Sequence, residues 1–159
     1  MTGFDDLYRT YAPHVFRFAL YLCGDRSQAE DLTSETFVRA WASPEPIRME
    51  TVKGYLLTIT RNLYLQARRR PEQHLAVPED LAEPRAGPDV AAEHGAELFA
   101  AFQDLQRLPE GERTALLMRA VEDLSYEEIA RALGISLGAA KVRIHRARLA
   151  LARMREART

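Results

Sequence analysis

The feature that most constrains how this chain folds is a proline-rich segment near its middle. Residues 71–95 hold four of the eight prolines and show no helical or alternating apolar period. Each proline removes a backbone N–H donor and disfavours helical geometry at the residue before it, so a helix cannot cross this segment. The segment is also acidic. We therefore interpret it as a flexible linker between two small domains, residues 1–70 and 96–159.

The half before the linker has apolar residues every three or four positions and no alternating β-branched run, which predicts helices. The first helix is expected to end at Gly24, with Pro13 starting a second helix or kinking the first. The next begins at a capping box formed by Ser27 and Glu30 and ends before the following proline. Another helix runs into the arginines at 68–70. Short connections between such helices indicate a compact bundle.

The half after the linker predicts a helix-turn-helix over residues 125–148. Ser125 and Glu128 form a second capping box, Gly134 supplies the left-handed residue of a tight turn, and Ser136 caps the following helix. One face of that helix is apolar and contains Ala140, Ile144, Ala147, Leu151 and Met154. The other face is basic and contains Lys141, Arg143, Arg146, Arg148, Arg153 and Arg155. The fold class predicted for the chain is all-α.

The turn signature and the basic face coincide, and this favours DNA binding over an amphipathic hairpin whose arginines only solubilise it. A helix can enter the major groove only if one face anchors it and the other carries donors. The charge distribution agrees. Residues 61–70 carry four arginines and no acid, and residues 136–159 carry seven bases and one acid, whereas residues 71–112 carry ten acids and two bases. Two basic surfaces separated by an acidic segment suggest two contacts with a polyanion.

Several other classes of function find no support in the sequence. No run approaches the ~20 apolar residues of a membrane span, and the N-terminus lacks the pattern of a secretory signal, so we expect a cytoplasmic protein without membrane insertion. One cysteine, Cys23, can form neither an internal disulfide nor a thiolate metal cage. The four histidines have no metal spacing, and no glycine-rich phosphate loop follows a strand. We expect no enzymatic activity, catalytic residue, metal or cofactor.

Taken together, the two halves resemble a specific family, the extracytoplasmic-function (ECF) sigma factors of bacterial RNA polymerase. The resemblance in the second half runs through LPEGERTALLMRAVEDLSYEEIARALGISLGAAKVRIHRAR. In the first half, DRSQAEDLTSETFVRAW is similar to the family's polymerase-binding helix, and KGYLLTITRNLYLQARRR is similar to its promoter-melting helix. These segments cover nearly the whole chain outside the linker.

The resemblance implies a non-enzymatic subunit that directs RNA polymerase to promoters. The residues expected to bind the clamp helices of the polymerase largest subunit are Asp31, Leu32, Glu35, Phe37 and Trp41. Those expected at the downstream promoter element are Lys53, Tyr55, Arg61, Asn62, Arg68 and Arg69. Those expected at the upstream element are Ser136, Ala139, Lys141, Arg143, His145, Arg146 and Arg148. The polymerase flap and an anti-sigma factor are further partners that the resemblance implies.

Three places depart from the residues usual in the family. Tyr55 stands where a tryptophan is usual but keeps a stacking aromatic, and Gln66 stands where an acid is usual. Ala139 and Ala140 stand where Thr-Val is common. The change at Ala139 bears on the base preference of the recognition helix.

Two alternatives to this interpretation come from other classes of protein. A dimeric helix-turn-helix repressor should carry an effector pocket or an apolar dimerisation seam outside the motif, and the sequence shows neither. A helical adaptor that binds protein does not need two separate basic faces.

Overall fold

The computed structural model describes residues 3–43, 51–69 and 95–159. These ranges are almost entirely helical and contain no strand, so the all-α prediction is confirmed. Residues 71–94 of the predicted linker lie outside the described residues. No helix in the described ranges is long and apolar enough to cross a membrane.

The first half of the chain is a bundle of three helices: α1 spans Phe4–Cys23, α2 spans Arg26–Ala42 and α3 spans Val52–Arg68. Helix α1 packs against both of the others, and α2 packs against α3. Across the α2–α3 contact, two buried hydroxyls, Thr36 Oγ1 and Thr60 Oγ1, lie within 2.8 Å and share a hydrogen bond. The bundle predicted from helical spacing is therefore present.

Two details of the helix boundaries concern Pro13 and the start of α2. Of the two alternatives predicted at Pro13, the start of a second helix is wrong, because α1 runs through this residue. Pro13 is exposed, so water can reach the carbonyl that it leaves without an N–H partner. The cap of α2 is Asp25 rather than Ser27: its carboxylate accepts from the backbone N–H groups of Ser27 and Gln28. An aspartate carboxylate is a strong acceptor for the unpaired amides of a first turn.

The second half contains four helices, of which the last two form the predicted helix-turn-helix. Helix α4 spans Ala96–Arg107, α5 spans Glu110–Leu116 and continues as a π-helical turn over Leu117–Val121, α6 spans Tyr126–Leu133, and α7 spans Leu137–Arg158. Ser125 and Ser136 cap α6 and α7 as predicted. Gly134 between them has a φ of 67°. The tight turn and both caps are therefore confirmed.

The two halves pack against each other, which the sequence does not predict. Helix α1 contacts α4, α5 and the π-helical turn, and α3 contacts α6. At this junction the Tyr21 and Phe102 rings meet edge to face, 5.7 Å between centroids. Gln106 of α4 donates from Nε2 to the Tyr21 carbonyl at 2.8 Å. The buried apolar residues of both halves form one hydrophobic cluster.

Gly24 and Gly134 allow a direct test of this packing. Both have left-handed backbone, with φ of 75° and 67°, but a Cβ on Gly24 would lie 2.8 Å from Gln106 Oε1, whereas one on Gly134 would meet nothing within 4 Å. Gly134→Ala should lower the free energy of unfolding by about 1–2 kcal/mol, the cost of left-handed backbone for alanine. Gly24→Ala should cost more, because the new Cβ crowds the Gln106 amide that donates to the Tyr21 carbonyl. Urea unfolding followed by circular dichroism measures both; equal losses would contradict the packing of α4 on the first half.

Candidate nucleic-acid interface

The first part of α7 presents one buried and one exposed face. The Ser136 hydroxyl oxygen accepts from the Ala139 N–H at 3.1 Å and closes the first turn. Ala140, Ile144 and Ala147 are buried against the rest of the second half. Around them, the exposed side chains are Ser136, Lys141, His145, Arg146 and Arg148, while Ala139 is half-buried. The helix is therefore anchored on one side and offers cations on the other.

Two of the cations on α7 are partly held by the fold. Arg143 is half-buried, and a Cβ built on Gly111 of α5 would lie 2.8 Å from Arg143 Nη1, so a larger side chain at position 111 would displace the guanidinium. Lys141 Nζ lies 5.5 Å from the centroid of the Tyr126 ring on α6. Such contacts restrict the rotamers of long side chains and thereby reduce the entropy lost when they bind a target.

Helix α3 carries the residues predicted for the downstream element, and the structure separates them by accessibility. The exposed members are Asn62, Arg68 and Arg69, and the half-buried members are Lys53 and Tyr55. The Arg68 guanidinium lies over the Tyr64 ring, 5.5 Å from its centroid. Arg61 differs from the others, because only 13% of its side chain is exposed and it points toward the second half of the chain.

The Arg61 guanidinium is held by Glu110 at the first residue of α5. Arg61 Nε and Nη2 donate to the two carboxylate oxygens of Glu110 at 2.8 and 3.0 Å, a two-pronged geometry that is strong for arginine. Burial by itself raises the pKa of Glu110, but hydrogen bonds from Arg61 and Thr114 outweigh it and leave that pKa below its usual value. The carboxylate is therefore charged at neutral pH. In this conformation Arg61 is not available to DNA.

The residues predicted to bind polymerase divide into exposed and buried sets. Asp31 and Glu35 are exposed along α2, and Trp41 is 69% exposed near its end. Leu32 and Phe37, at 5% and 2% exposed, are core residues and cannot contact a partner in this conformation. The prediction that they contact polymerase is wrong for this conformation, because they lie on the face of α2 that packs against the bundle.

The sequence pattern does not predict two exposed apolar side chains, one on α2 and one on α1. Val38 is 65% exposed, and Tyr8 of α1 is 46% exposed. The signal for Val38 was present: it is apolar, yet it falls off the buried stripe that contains Thr33, Thr36 and Phe37. Trp41 keeps an edge contact with the Phe4 ring, 4.8 Å between centroids. An exposed valine and tryptophan beside two carboxylates form a surface suited to a protein partner.

Comparison with known protein families gives a match for each half of the chain. Residues 7–73 match the family described as Sigma-70 region 2, and residues 105–151 match the family described as Sigma-70, region 4. The fold and the site thus define a sigma factor of the sigma-70 class.

Curated relatives give a finer family. The chain is 40% identical to the ECF RNA polymerase sigma factor SigE of Mycolicibacterium smegmatis, with 93% of this chain and 60% of that protein covered. It is 30% identical to the ECF RNA polymerase sigma factor SigL of Mycobacterium tuberculosis, with 91% and 84% covered. The chain therefore spans less than two thirds of the length of SigE.

A solved structure shows the same architecture. The sigma factor RpoE from Bartonella quintana, crystallised with the anti-sigma factor NepR, superposes with a TM-score of 0.76 at 25% identity, with 98% of each chain covered. Together with the identity to SigL over 84% of that protein, this shows that the chain belongs to the ECF RNA polymerase sigma factors.

Proposed function

We propose that this chain acts as the promoter-specificity subunit of RNA polymerase in the cytoplasm and performs no catalysis itself. The observation that carries the proposal is the exposed basic face of α7, anchored by buried Ala140, Ile144 and Ala147. A monomeric helix-turn-helix with so small a basic surface neutralises few phosphates and binds DNA weakly at physiological salt. Core polymerase supplies the remaining contacts with DNA.

In the proposed complex, α7 lies in the major groove of the upstream element. Lys141, Arg143 and Arg146 are close enough to its N-terminal end to meet base edges or phosphates there. Ser136, His145 and Arg148 extend the polar surface on either side and suit phosphate contacts. Ala139, half-buried near the N-terminus of α7, offers only a methyl group to a base.

Helix α3 is proposed to bind the downstream element. Tyr55 supplies an aromatic ring for stacking an unpaired base, and Lys53 supplies a cation in the first turn of the same helix. Asn62, Arg68 and Arg69, exposed toward the other end of the helix, suit contacts with the strand backbone. Arg61 can contact the strand only when its ion pair with Glu110 is broken.

The exposed face of α2 is proposed to bind the clamp helices of the polymerase largest subunit. Asp31 and Glu35 provide charge complementarity, and Trp41 with Val38 provides the apolar anchor that protein interfaces need near their centre. The polymerase flap is the proposed partner of the second half. Because Bartonella quintana RpoE was solved with an anti-sigma factor, a protein of that kind is proposed as a regulator of this chain as well.

In vitro transcription with core polymerase and a promoter library tests the proposed function. The expected result is a defined set of transcripts that requires both the chain and core enzyme. Nanomolar binding of the isolated chain to a duplex site, with no effect of polymerase, would instead support a repressor. Protein binding without any effect on transcription would support an adaptor.

A double charge reversal tests the polymerase surface. Asp31→Lys with Glu35→Lys should weaken core-polymerase binding by about 10–100-fold, since complementary charges become repulsive while both side chains stay solvent-exposed. The matched control is Glu127→Lys with Glu156→Lys, which changes the net charge equally at two exposed acids outside α2. Fluorescence anisotropy with labelled chain measures both affinities. Equal affinities for the two double variants would refute the assigned face.

Alanine substitutions along α7 test base reading by the recognition helix. Lys141→Ala should weaken binding of the holoenzyme to the upstream element by about 1–3 kcal/mol, the usual value for a contact that reads a base. Arg153→Ala should have a much smaller effect, because Arg153 lies beyond the turns expected in the groove. Titration with wild-type and scrambled upstream elements measures both. Equal losses at the two positions would indicate a diffuse electrostatic face in place of base reading.

A further inference from the structure

Three glutamates of the second half share an unusual environment. Each has a carboxylate that is largely or fully buried, and each is bonded to residues of the first half: Glu110, Glu122 and Glu128. Burying a carboxylate is unfavourable unless charged or polar partners satisfy it. The first half of the chain supplies those partners in all three cases.

Glu122 is paired most completely. It directly follows the π-helical turn and is fully buried, and Arg17 of α1 donates to both of its carboxylate oxygens, from Nε at 2.9 Å and Nη2 at 3.1 Å. His14 Nδ1 lies 3.0 Å from Oε1 of the same carboxylate. The hydrogen bond to Glu122 raises the pKa of Arg17. Opening the two halves would separate Glu122 from Arg17, whose Nη2 would keep only the His14 ring nitrogen, 3.1 Å away in its own helix, among the hydrogen bonds described.

Glu128 lies against the N-terminus of α3. Its Oε2 accepts from the Thr51 N–H at 3.0 Å and from the Thr51 hydroxyl at 2.7 Å. Thr51 is itself the cap of α3, because its Oγ1 accepts from the Gly54 N–H. A Cβ on Gly54 would lie 1.9 Å from Glu128 Oε2, so only glycine lets the carboxylate come this close. The second half thus contacts the start of the helix proposed to bind the downstream element.

Glu110 completes the set by holding Arg61. The Glu110 carboxylate accepts from Nε and Nη2 and so occupies one edge of the guanidinium, an edge that a phosphate can also bind. The Thr114 hydroxyl donates to Oε2 of Glu110 at 2.7 Å and keeps the carboxylate oriented toward Arg61. The contact therefore competes directly with DNA.

We propose that Glu110, Glu122 and Glu128 form an interdomain latch that holds the free chain closed and withholds Arg61 and the start of α3 from DNA. The part of the inference that concerns DNA rests on the proposed function. All three carboxylates lie on the second half, and the two arginines and the Thr51 hydroxyl that bind them lie on the first. Opening therefore exposes a set of acids on the second half and frees a basic surface on the first. Core polymerase can supply new partners for the exposed acids. A nucleic-acid phosphate backbone can supply new partners for the basic surface.

The latch is tested in the full chain with Glu122→Gln and Glu128→Gln, alone and combined. Neither residue belongs to the proposed DNA or polymerase surfaces, and each change keeps the side-chain size while removing the charge. The matched controls are their exposed neighbours, Asp123→Asn and Glu127→Gln. Asparagine tolerates the left-handed backbone of position 123, where φ is 60°.

The distance between the halves is the first measurement. A donor and an acceptor dye on cysteines introduced at the exposed positions Ser34 of α2 and Gln103 of α4, in a Cys23→Ser background, report it by energy transfer. The wild type and the controls should give one high-transfer population, and the combined variant should move most molecules to lower transfer. Unchanged transfer in the combined variant would overturn the latch. If Glu122→Gln fails to fold, Arg17→Gln removes the same pair from the other half.

Binding of the free chain to a single-stranded downstream-element probe is the second measurement. The combined variant should bind about tenfold more tightly than the wild type, and the controls should not. Increased domain separation without tighter binding would overturn the claim that the latch withholds the DNA surface. Failure of the wild type to support transcription with core polymerase would refute the proposed function and leave the energy-transfer result independent of it.

Discussion

The packing of α1 on both halves of the chain is the contact on which the rest of the structure depends. Val15, Phe18 and Leu22 of this helix are fully buried. Helix α1 contacts α2 and α3 in its own half and α4, α5 and the π-helical turn in the other. Small domains leave a large fraction of their surface exposed, so contact with the other half adds buried apolar surface to each. Sharing α1 gives both halves a common core.

The edges of this shared core are polar, and that determines how firmly the halves are joined. Buried ion pairs give up hydration that their mutual attraction only partly replaces, so an interface closed by carboxylates gains less stability than an apolar one. Such an interface is nevertheless specific in geometry, as the two-pronged contacts of Arg17 and Arg61 show. An interface of this kind can open when another partner offers equivalent charges. This property suits a chain whose two halves are proposed to bind separate promoter elements.

The elements with local signals were predictable from the sequence. Ser125 and Ser136 cap their helices, Gly134 turns the chain, and α7 buries the apolar residues that its spacing indicated. Each of these features depends on residues within about four positions of each other, so the pattern contains the information. The sequence pattern predicts Ser27 as the cap of α2, whereas the structure has Asp25. Both residues are good acceptors and lie close together in the sequence, so only the backbone geometry distinguishes them.

Burial of individual site residues was not predictable in the same way. Phe37 and Trp41 are four residues apart on α2, yet one is 2% and the other 69% exposed. The Tyr8 and Phe4 rings both meet Phe37, whereas the ring contact described for Trp41 is with Phe4, at the first residue of α1. Helical spacing shows that two residues share a face, but the end of a neighbouring helix determines which of them is covered.

The sequence by itself determined that the chain is helical, that its second half contains a helix-turn-helix, and that α7 has a basic face. Only the tertiary structure decided that Arg61 is occupied by Glu110, 49 residues away, and that Glu128 reaches Thr51, 77 residues away. The spacing of Ser125 and Glu128 indicates a local cap, but only the packing of the helices shows that the Glu128 carboxylate bonds to Thr51 of the other half. Periodicity and caps act over one or two helical turns, whereas a buried carboxylate takes whichever partner the packing of distant helices brings to it.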